Sequence, residues 1–268
     1  MTAADPARRV ALVTGGSRGV GHGVAAALRD AGWLVYVTSR RGTGPDGTVA
    51  VACDHTDDDA IAAVLTRIHE ETGRLDLLVN NVWAAPRGFA GFTEKFYERP
   101  VSDWDTLITV GLRAHYVAST LAARIMVPQG SGLITSISSF GSRGPLHSVL
   151  YGMSKTAIDK MMYDMAAELR GTGVAAVSLW LGLIRTERLL ASGLTEFAGF
   201  PLDVAEDPEY VGRVIDALAR DEALAAYSGH TLVTAEAGAR YGLVNNDGAT
   251  APISHRDAFG GGPLFPPH

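Results

Sequence analysis

Short apolar runs alternate along the chain with longer segments in which apolar residues return every three or four positions. The runs, rich in valine, leucine and isoleucine, predict strands, and the periodic segments predict helices. The predicted strands are 10–13, 34–37, 49–53, 75–79, 133–137, 174–180 and 230–234. The predicted helices are 19–31, 57–71, 103–127, 150–170 and 208–219. Strands that alternate with helices of this length indicate right-handed βαβ crossovers and a parallel sheet covered on both faces.

This order predicts an α/β protein with a doubly wound Rossmann fold and about seven parallel strands. A length of 268 residues with no internal boundary fits one domain over residues 1–268. Ligands of such folds bind beyond the carboxyl ends of the strands. Residues 251–268 form a tail rich in glycine and proline, which we expect to be irregular or partly disordered.

The composition of the chain argues against several classes of partner, metal site and membrane attachment. The net charge is −6 and no basic block occurs, which argues against a nucleic-acid partner. The only cysteine, Cys53, excludes an intramolecular disulfide and cysteine-based metal sites. No apolar run reaches the roughly 18 residues of a membrane span, and the first residues lack the apolar core of a signal peptide. We therefore expect a cytoplasmic protein without a resident metal.

A glycine-rich turn, Thr-Gly-Gly-Ser-Arg-Gly-Val-Gly at 14–21, joins the first predicted strand to the first predicted helix. Gly15 allows the tight turn, Gly19 lets the backbone approach a pyrophosphate at the helix N-terminus, and Gly21 permits close packing. Its strand-to-helix context favours dinucleotide binding over an ordinary turn. The predicted contacts with the dinucleotide come from Gly15, Ser17, Arg18, Gly19, Val20 and Gly21.

The end of the second strand indicates which dinucleotide binds. A site for NAD places an acidic residue there, whereas this chain reads Thr-Ser-Arg-Arg at 38–41. Arg40 can pair bidentately with a 2′-phosphate, and Arg18 can approach the same group. We therefore predict NADP(H), with Ser39 and Arg41 also at this end; the competing interpretation is that the arginines are surface charges. Asp54, just past the third strand, either accepts a bond from the adenine amino group or caps the next helix.

Tyr151 and Lys155 lie four residues apart at the start of a predicted helix, so they share one helix face. A neighbouring ammonium and an oxidised nicotinamide would lower the pKa of tyrosine from its reference value of about 10. The preceding strand ends in Ser138-Ser139, whose hydroxyl groups can hydrogen-bond a substrate oxygen. A nucleophilic serine is disfavoured because the Gly-x-Ser-x-Gly motif is absent.

In this combination and order, the motifs resemble the short-chain dehydrogenase/reductase family over nearly the whole chain. The matching motifs are the turn at 14–21, Asn-Asn at 80–81 and Tyr-x-x-x-Lys at 151–155. The resemblance implies that Ser139 polarises a carbonyl group, with Ser138 as a lesser alternative. It also implies that Tyr151 exchanges the proton and that Lys155 binds the nicotinamide ribose. The further cofactor contacts that it implies are Asn81, Gly182, Ile184 and Thr186.

Four segments, 110–116, 123–128, 177–180 and 239–243, are similar to the dehydrogenase/reductase member 1 subgroup of this family. The similarity implies hydride transfer between NADP(H) and a carbonyl or alcohol group of a lipophilic small molecule. The helices over 103–127 and 150–170 resemble those that pair across family dimers, so we expect a homodimer or homotetramer. The alternative function is a catalytically weak or inactive NADP(H)-binding regulator, whose expected signature is the loss of Tyr151 or Lys155.

The chain departs from the family pattern at three positions. Gly111 stands where the family has a catalytic asparagine, and we expect a local helix break there with room for water. His115 is a secondary candidate for that relay, although a packed or exposed histidine is the simpler interpretation. Trp83 replaces a small residue and should point toward the substrate side. Leu181 replaces the proline before Gly182, which puts the rigidity of that loop in doubt.

Aromatic residues are dense between positions 83 and 104. This segment and a flap over 187–202 predict the walls of an apolar substrate pocket, and a small satellite core is the alternative. The aromatic residues concerned include Phe89, Phe92, Phe96 and Tyr97.

Overall fold

A computed structural model describes residues 8–84, 94–197, 199–260 and 265. Within these ranges, seven strands form one parallel sheet in the order β3-β2-β1-β4-β5-β6-β9. Its strands are β1 (Val10–Thr14), β2 (Leu34–Ser39), β3 (Val49–Ala52), β4 (Leu77–Asn80), β5 (Gly132–Ser139), β6 (Val174–Leu181) and β9 (Thr231–Val233). A separate antiparallel hairpin pairs β7 (Glu196–Phe197) with β8 (Phe200–Pro201).

Helices cover both faces of the sheet. They are α1 (Gly19–Asp30), α2 (Asp58–Thr72), α3 (Ala114–Gln129), α4 (Val149–Glu168), α5 (Glu187–Leu190), α6 (Pro208–Arg220), α7 (Leu224–Tyr227) and α8 (Thr234–Arg240). A π-helical segment, Asp105–Arg113, runs directly into α3, and short 3-10 helices occur at Phe96–Glu98, Phe140–Ser142 and Asp257–Phe259. None of the helices described is both long and apolar enough to cross a membrane.

The strand order confirms the doubly wound fold predicted from the sequence. The chain leaves β1 for β2 and β3 on one side, then returns to place β4 on the other side of β1. This reversal opens a crevice at the carboxyl ends of β1 and β4, which is where ligands of such folds bind.

The alternation of side chains along each strand divides the core into two layers. In β1, Val10 and Leu12 belong to one buried cluster, which includes residues of α2, α3 and α4. Ala11 and Val13 belong to the other, which includes residues of α1 and α6. Because both faces of the sheet are covered, β1 is apolar at every position from Val10 to Val13 rather than alternating.

Several short elements were not predicted from the sequence. The last strand was expected to include Thr234, but that residue begins α8. The helices α5 and α7 and the β7–β8 hairpin each have four residues or fewer per element, too few for a periodic pattern to register. The helix predicted over 103–127 is confirmed in position, but its first part is π-helical, and the α-helical part extends to Gln129.

The tail is more regular than we expected over the part that the structure describes. Asp257–Phe259 form a turn of 3-10 helix, and the Phe259 ring stacks on that of Phe140 with 5.1 Å between centroids. The predicted irregularity of residues 261–264 and 266–268 lies outside the described residues.

A close approach of α1 and α6 yields a prediction about stability. A Cβ atom on Gly212 of α6 would lie 2.6 Å from Ala27 Cβ and 2.9 Å from Val24 Cα of α1. Gly212→Ala should therefore destabilise the fold by about 1–3 kcal/mol through overpacking, although alanine favours helix by about 1 kcal/mol. Denaturant unfolding measures this change, and Ala217→Val on a half-exposed position of α6 is the control. A Gly212→Ala protein as stable as the wild type would show that the helices can separate freely.

Candidate active site

The end of β5 and the first turn of α4 bring Ser139 and Tyr151 together. The Ser148 hydroxyl caps α4 by accepting a hydrogen bond from the Tyr151 backbone N–H at 3.2 Å. This cap sets the direction of the first turn. The Tyr151 hydroxyl donates to Ser139 Oγ at 2.8 Å, and Ser139 Oγ also accepts from the Gly141 N–H at 3.0 Å.

Lys155 lies one helical turn after Tyr151 and is buried. Its ammonium donates to the Ile137 carbonyl at 3.0 Å and stands 5.6 Å from the centroid of the Tyr151 ring. The Ser138 hydroxyl donates to the Lys155 carbonyl at 3.2 Å, so it is bonded to the backbone of α4. Of the two serines predicted as alternatives, Ser139 is the one bonded to Tyr151.

Burial controls the protonation of this cluster. It raises the pKa of Tyr151 to about 12, while the hydrogen bond with Ser139 opposes the change. It also lowers the pKa of Lys155 to about 8, while the charge of Asp159 opposes the change. Within the polypeptide alone, desolvation of the phenol is the larger effect, and the lowering expected from the ammonium together with an oxidised nicotinamide stays a prediction. In the polypeptide alone, burial therefore favours the neutral form of the Tyr151 phenol.

Asp159 is a buried carboxylate that the sequence analysis missed. It lies one turn beyond Lys155, is 1% exposed, and accepts hydrogen bonds from the Ser178 hydroxyl and from Trp180 Nε1, the latter at 2.8 Å. Burial raises the pKa of Asp159, and hydrogen bonds to its carboxylate oppose the change. Its position four residues after Lys155 is the signal that could have identified it.

Two rings flank the ring of Tyr151. The Trp83 ring meets it edge-on with 5.8 Å between centroids, and the His147 ring does so at 4.8 Å. His147 has a φ of 62°, in a region that residues other than glycine rarely adopt. Burial lowers the pKa of His147 to about 4, with Lys155 adding to the effect. The lowered pKa favours a neutral His147 imidazole, which packs beside the Tyr151 phenol.

The glycine-rich turn packs against Asn81 at the end of β4. The Asn81 side-chain amide donates to the Thr14 carbonyl at 2.9 Å and to the Gly15 carbonyl at 3.2 Å. A Cβ on Gly21 would overlap the Asn81 amide, and one on Gly15 would lie 2.9 Å from Val82 Cα. Glycine is therefore required at both positions. Asn81 holds the turn through its two hydrogen bonds, and its contact with the cofactor stays a prediction.

The N-terminus of α1 already receives an anionic group. The Gly19 N–H donates to both oxygens of the Glu187 carboxylate, at 3.0 and 3.2 Å. Gly19 has a φ of 55°, Arg18 precedes the helix as an exposed residue, and Ser17 and Val20 are half-buried beside it. A donor at a helix N-terminus that takes a carboxylate is equally suited to a phosphate. The turn therefore fits the pyrophosphate of a dinucleotide.

At the predicted site for the adenosine end of the cofactor, one side chain is hydrogen-bonded within the protein and two are exposed. The Ser39 hydroxyl accepts from the Thr43 N–H at 2.8 Å and donates to the Thr43 carbonyl at 2.9 Å. Arg40 and Arg41, which follow it, are exposed. Hydrogen bonds from Thr56 lower the pKa of Asp54, and the charge of Arg40 contributes to the change.

Asp54 does not cap the helix after β3. Its Oδ1 accepts from the N–H and the hydroxyl of Thr56, at 3.0 and 2.8 Å, within its own turn. Asp57 is the cap of α2, since its Oδ1 accepts from the Asp59 N–H at 2.9 Å. The helix-cap alternative for Asp54 is therefore wrong, and the adenine contact stays a prediction.

The loop after β6 closes the other wall of the crevice. A Cβ on Gly19 would lie 3.6 Å from Thr186 Cγ2, which places Thr186 beside the glycine-rich turn. The Thr186 hydroxyl caps α5 by accepting from the Leu189 N–H at 3.3 Å. Ile184 forms an isolated parallel bridge with Glu206, and Gly182 donates its N–H to the Glu206 side chain. Glu206 was also missed from the sequence, because an acid near a helix start is most simply a surface charge.

Comparison with known proteins agrees with this geometry. The family model for short chain dehydrogenases matches residues 9–194. Proteins named dehydrogenase/reductase SDR family member 1 are 39% identical in Mus musculus and 38% identical in Homo sapiens, each match covering 90% of this chain and 84% of the relative. The chain belongs to the short-chain dehydrogenase family. Its members are oxidoreductases that use nicotinamide cofactors.

Other relatives extend the comparison. The chain is 30% identical to the 3-oxoacyl-[acyl-carrier-protein] reductase MabA of Mycobacterium tuberculosis, over 80% of this chain and 87% of that protein. A solved structure of a short-chain type dehydrogenase/reductase from Mycobacterium marinum has a TM-score of 0.73 at 25% identity. That match covers 85% of this chain and 94% of the other.

Gly111 of this short-chain dehydrogenase lies within the π-helical segment, as the predicted helix break requires. A Cβ there would lie 3.1 Å from Trp83 Cδ1, so the tryptophan ring fills the space beside the glycine. His115 is buried, its Nε2 is 2.9 Å from the Val82 carbonyl, and burial lowers its pKa to about 3. His115 is therefore a packed, neutral histidine. The water relay at Gly111 stays a prediction.

The predicted aromatic pocket is only partly within the described residues. Phe89 and Phe92 lie outside them. Phe96 and Tyr97 are 68% and 70% exposed, so neither belongs to a satellite core. From the flap, Phe200 packs against the His255 ring with 4.1 Å between centroids. The apolar pocket stays a prediction.

The contact between Gly111 and Trp83 predicts how this position affects turnover. A leucine at 111 must displace Trp83, which contacts the Tyr151 ring, whereas an alanine needs a shift of only a few tenths of an ångström. Gly111→Leu should lower turnover by more than about tenfold, and Gly111→Ala should lower it by less than that. A tenfold change in turnover corresponds to about 1.4 kcal/mol in activation free energy. NADPH oxidation with a panel of aldehydes and ketones measures this. Equal turnover in the two variants would show that the position of the Trp83 ring does not affect the reaction.

Proposed function

We propose that this short-chain dehydrogenase transfers hydride between NADP(H) and the carbonyl or alcohol group of a lipophilic small molecule. The observation that carries the proposal is the 2.8 Å hydrogen bond between the Tyr151 and Ser139 hydroxyls, with the buried Lys155 ammonium one turn away. Two hydroxyl groups that meet at the end of a strand can both bond a single substrate oxygen.

Each side chain has a distinct role in the proposal. When bound, the nicotinamide supplies or accepts the hydride. Ser139 holds the substrate oxygen, and Tyr151 gives it a proton during reduction or takes one during oxidation. Lys155 binds the ribose hydroxyls and keeps a positive charge near the phenol. Because burial raises the pKa of Tyr151 to about 12, the phenol holds a proton that it can give to the substrate oxygen during reduction.

The choice of NADP(H) over NAD(H) rests on the end of β2. Arg40 and Arg41 follow Ser39 there, and Arg18 is exposed in the glycine-rich turn. No carboxylate occupies 38–41 to bond a free ribose 2′-hydroxyl. Guanidinium groups pair well with phosphate, so this set supports a 2′-phosphate ligand.

The names of the relatives support a reductase that acts on carbonyl groups. The mycobacterial relative is a 3-oxoacyl-[acyl-carrier-protein] reductase, which by its name reduces a ketone on an acyl chain. The alternative of an inactive NADP(H)-binding regulator is disfavoured, since Ser139, Tyr151 and Lys155 are all present and brought together. The homodimer or homotetramer and the cytoplasmic location stay predictions.

The role of Tyr151 is tested by its replacement with phenylalanine. Tyr151→Phe should abolish turnover of aldehydes and ketones, because it removes the proton donor while leaving the ring in place. NADPH affinity should stay close to that of the wild type, as measured by nicotinamide fluorescence. Tyr116→Phe, on an exposed tyrosine of α3, is the control and should leave both quantities unchanged. Turnover within about tenfold of the wild type would remove Tyr151 from the mechanism.

The choice of cofactor is tested at Arg40. Arg40→Asp removes a partner of the 2′-phosphate and supplies an acceptor for a free 2′-hydroxyl, so it should weaken NADPH binding and relatively favour NADH. The ratio of the two dissociation constants, measured by titration calorimetry, is the readout. Arg124→Asp, on α3, makes the same change of net charge and should leave the ratio unchanged. An unaltered ratio in Arg40→Asp would assign the phosphate to Arg18 or Arg41.

A further inference from the structure

One buried carboxylate holds the loop that follows β6. Glu206, two residues before α6 begins, is 1% exposed. Its Oε1 accepts a hydrogen bond from the Gly182 N–H at 2.9 Å and another from the Thr234 hydroxyl at 2.6 Å. The side chain thus joins the loop after β6 to the first residue of α8.

The backbone of Glu206 binds the same loop. The Glu206 N–H donates to the Leu183 carbonyl at 2.8 Å, and the Arg185 N–H donates to the Glu206 carbonyl at 2.9 Å. Together with the side-chain bond to Gly182, this single residue contacts three of the four positions from 182 to 185. The loop is therefore bound to both the backbone and the side chain of Glu206.

The contact between Gly182 and Glu206 leaves little free space. A Cβ on Gly182 would lie 3.0 Å from Glu206 Oε1 and 3.4 Å from His255 Cδ2. The position before Gly182 is a leucine, so no proline ring restricts the backbone there. The hydrogen bond to the Glu206 carboxylate therefore restrains the backbone at Gly182, where no proline ring does so.

We propose that Glu206 is a positioning residue that fixes the 182–186 loop against the nicotinamide half of NADP(H). The inference rests on the proposed function and on the family resemblance, which implies that Ile184 and Thr186 contact the nicotinamide of the cofactor. Glu206 itself touches neither the cofactor nor the substrate in this proposal. It acts by holding the loop in the conformation that binds.

The accepting oxygen, rather than a negative charge, performs this role. Burial raises the pKa of Glu206 to about 7, while the bonds from Thr234 and Gly182 oppose the change. Glutamine carries the same accepting oxygen without the charge, so Glu206→Gln should preserve the loop. Methionine has a similar volume but accepts poorly, so Glu206→Met leaves the Gly182 N–H and the Thr234 hydroxyl without that acceptor.

The experiment compares two ligands that share the adenosine end. NADPH contains the nicotinamide, whereas adenosine 2′,5′-bisphosphate does not. For Glu206→Met we expect NADPH affinity to fall by about tenfold, which equals about 1.4 kcal/mol. Its affinity for the bisphosphate should stay within about twofold of the wild-type value, and Glu206→Gln should bind both ligands nearly as the wild type does. Titration calorimetry measures all of these constants without turnover.

Further variants distinguish positioning from a general loss of structure. Thr234→Val removes the hydroxyl that donates to Glu206 but leaves the bond between Glu206 and the Gly182 N–H. The ratio of NADPH affinity to bisphosphate affinity in this variant should therefore match that of the wild type, including when the variant is less stable. Gly182→Ala disturbs the same contact from the loop side and should reproduce the selective loss of NADPH affinity. Because Gly182 is itself a predicted cofactor contact, Glu206→Asp, whose shorter side chain withdraws the accepting oxygen from Gly182, should show the same selective loss and decides the question if Glu206→Met does not fold.

Equal loss of affinity for both ligands in Glu206→Met, or no loss for either, would overturn the inference. So would a Gly182→Ala protein with an unchanged ratio. Failure of the wild type to bind NADPH while it binds NADH would overturn the proposed cofactor instead, and the same comparison with NADH and ADP would then test Glu206. Failure to bind any nicotinamide nucleotide would overturn both proposals.

Discussion

The burial of the Lys155 ammonium is the constraint on which the active-site half of this fold depends. A charged group removed from water is costly unless hydrogen bonds and opposite charge compensate it. Here the Ile137 carbonyl accepts one of its hydrogen bonds, and Asp159 supplies negative charge one turn further along α4. Because Ile137 belongs to β5, the ammonium is compensated only when α4 is seated on β5 in one register. The Ser138 bond to the Lys155 carbonyl holds the same register.

Polar contacts seat α4 on the sheet. Asp159 binds Ser178 and Trp180 of β6, so the helix is attached to two neighbouring strands rather than to one. Apolar packing tolerates small sliding movements, whereas hydrogen bonds to buried groups require a narrow range of distances and angles. With α4 held in this way, Tyr151 meets Ser139 at the end of β5. The same burial raises the pKa of Tyr151, and a positive charge close to the phenol would lower it.

Where the chain departs from the family pattern, other residues occupy the space or supply the restraint. Trp83 fills the space beside Gly111 and reaches the ring of Tyr151, so this departure alters the wall of the site while its three proposed catalytic residues stay together. Glu206 binds the loop in which Leu181 stands for the proline. At the first position a residue distant in sequence fills space, and at the second a distant residue hydrogen-bonds the loop.

The sequence by itself determined the parallel doubly wound sheet, because apolar strands covered on both faces and alternating with long helices have few other arrangements. It also placed Ser139, Tyr151 and Lys155 at one edge, since parallel strands end on the same side and a four-residue spacing shares a helix face. The tertiary structure decided the rest. Asp159 reaches Ser178 across 19 positions, and Glu206 reaches Thr234 across 28, distances over which no local pattern applies. The direction of the Tyr151 pKa also depends on burial, which arises from residues throughout the chain rather than from the neighbours of Tyr151 in sequence.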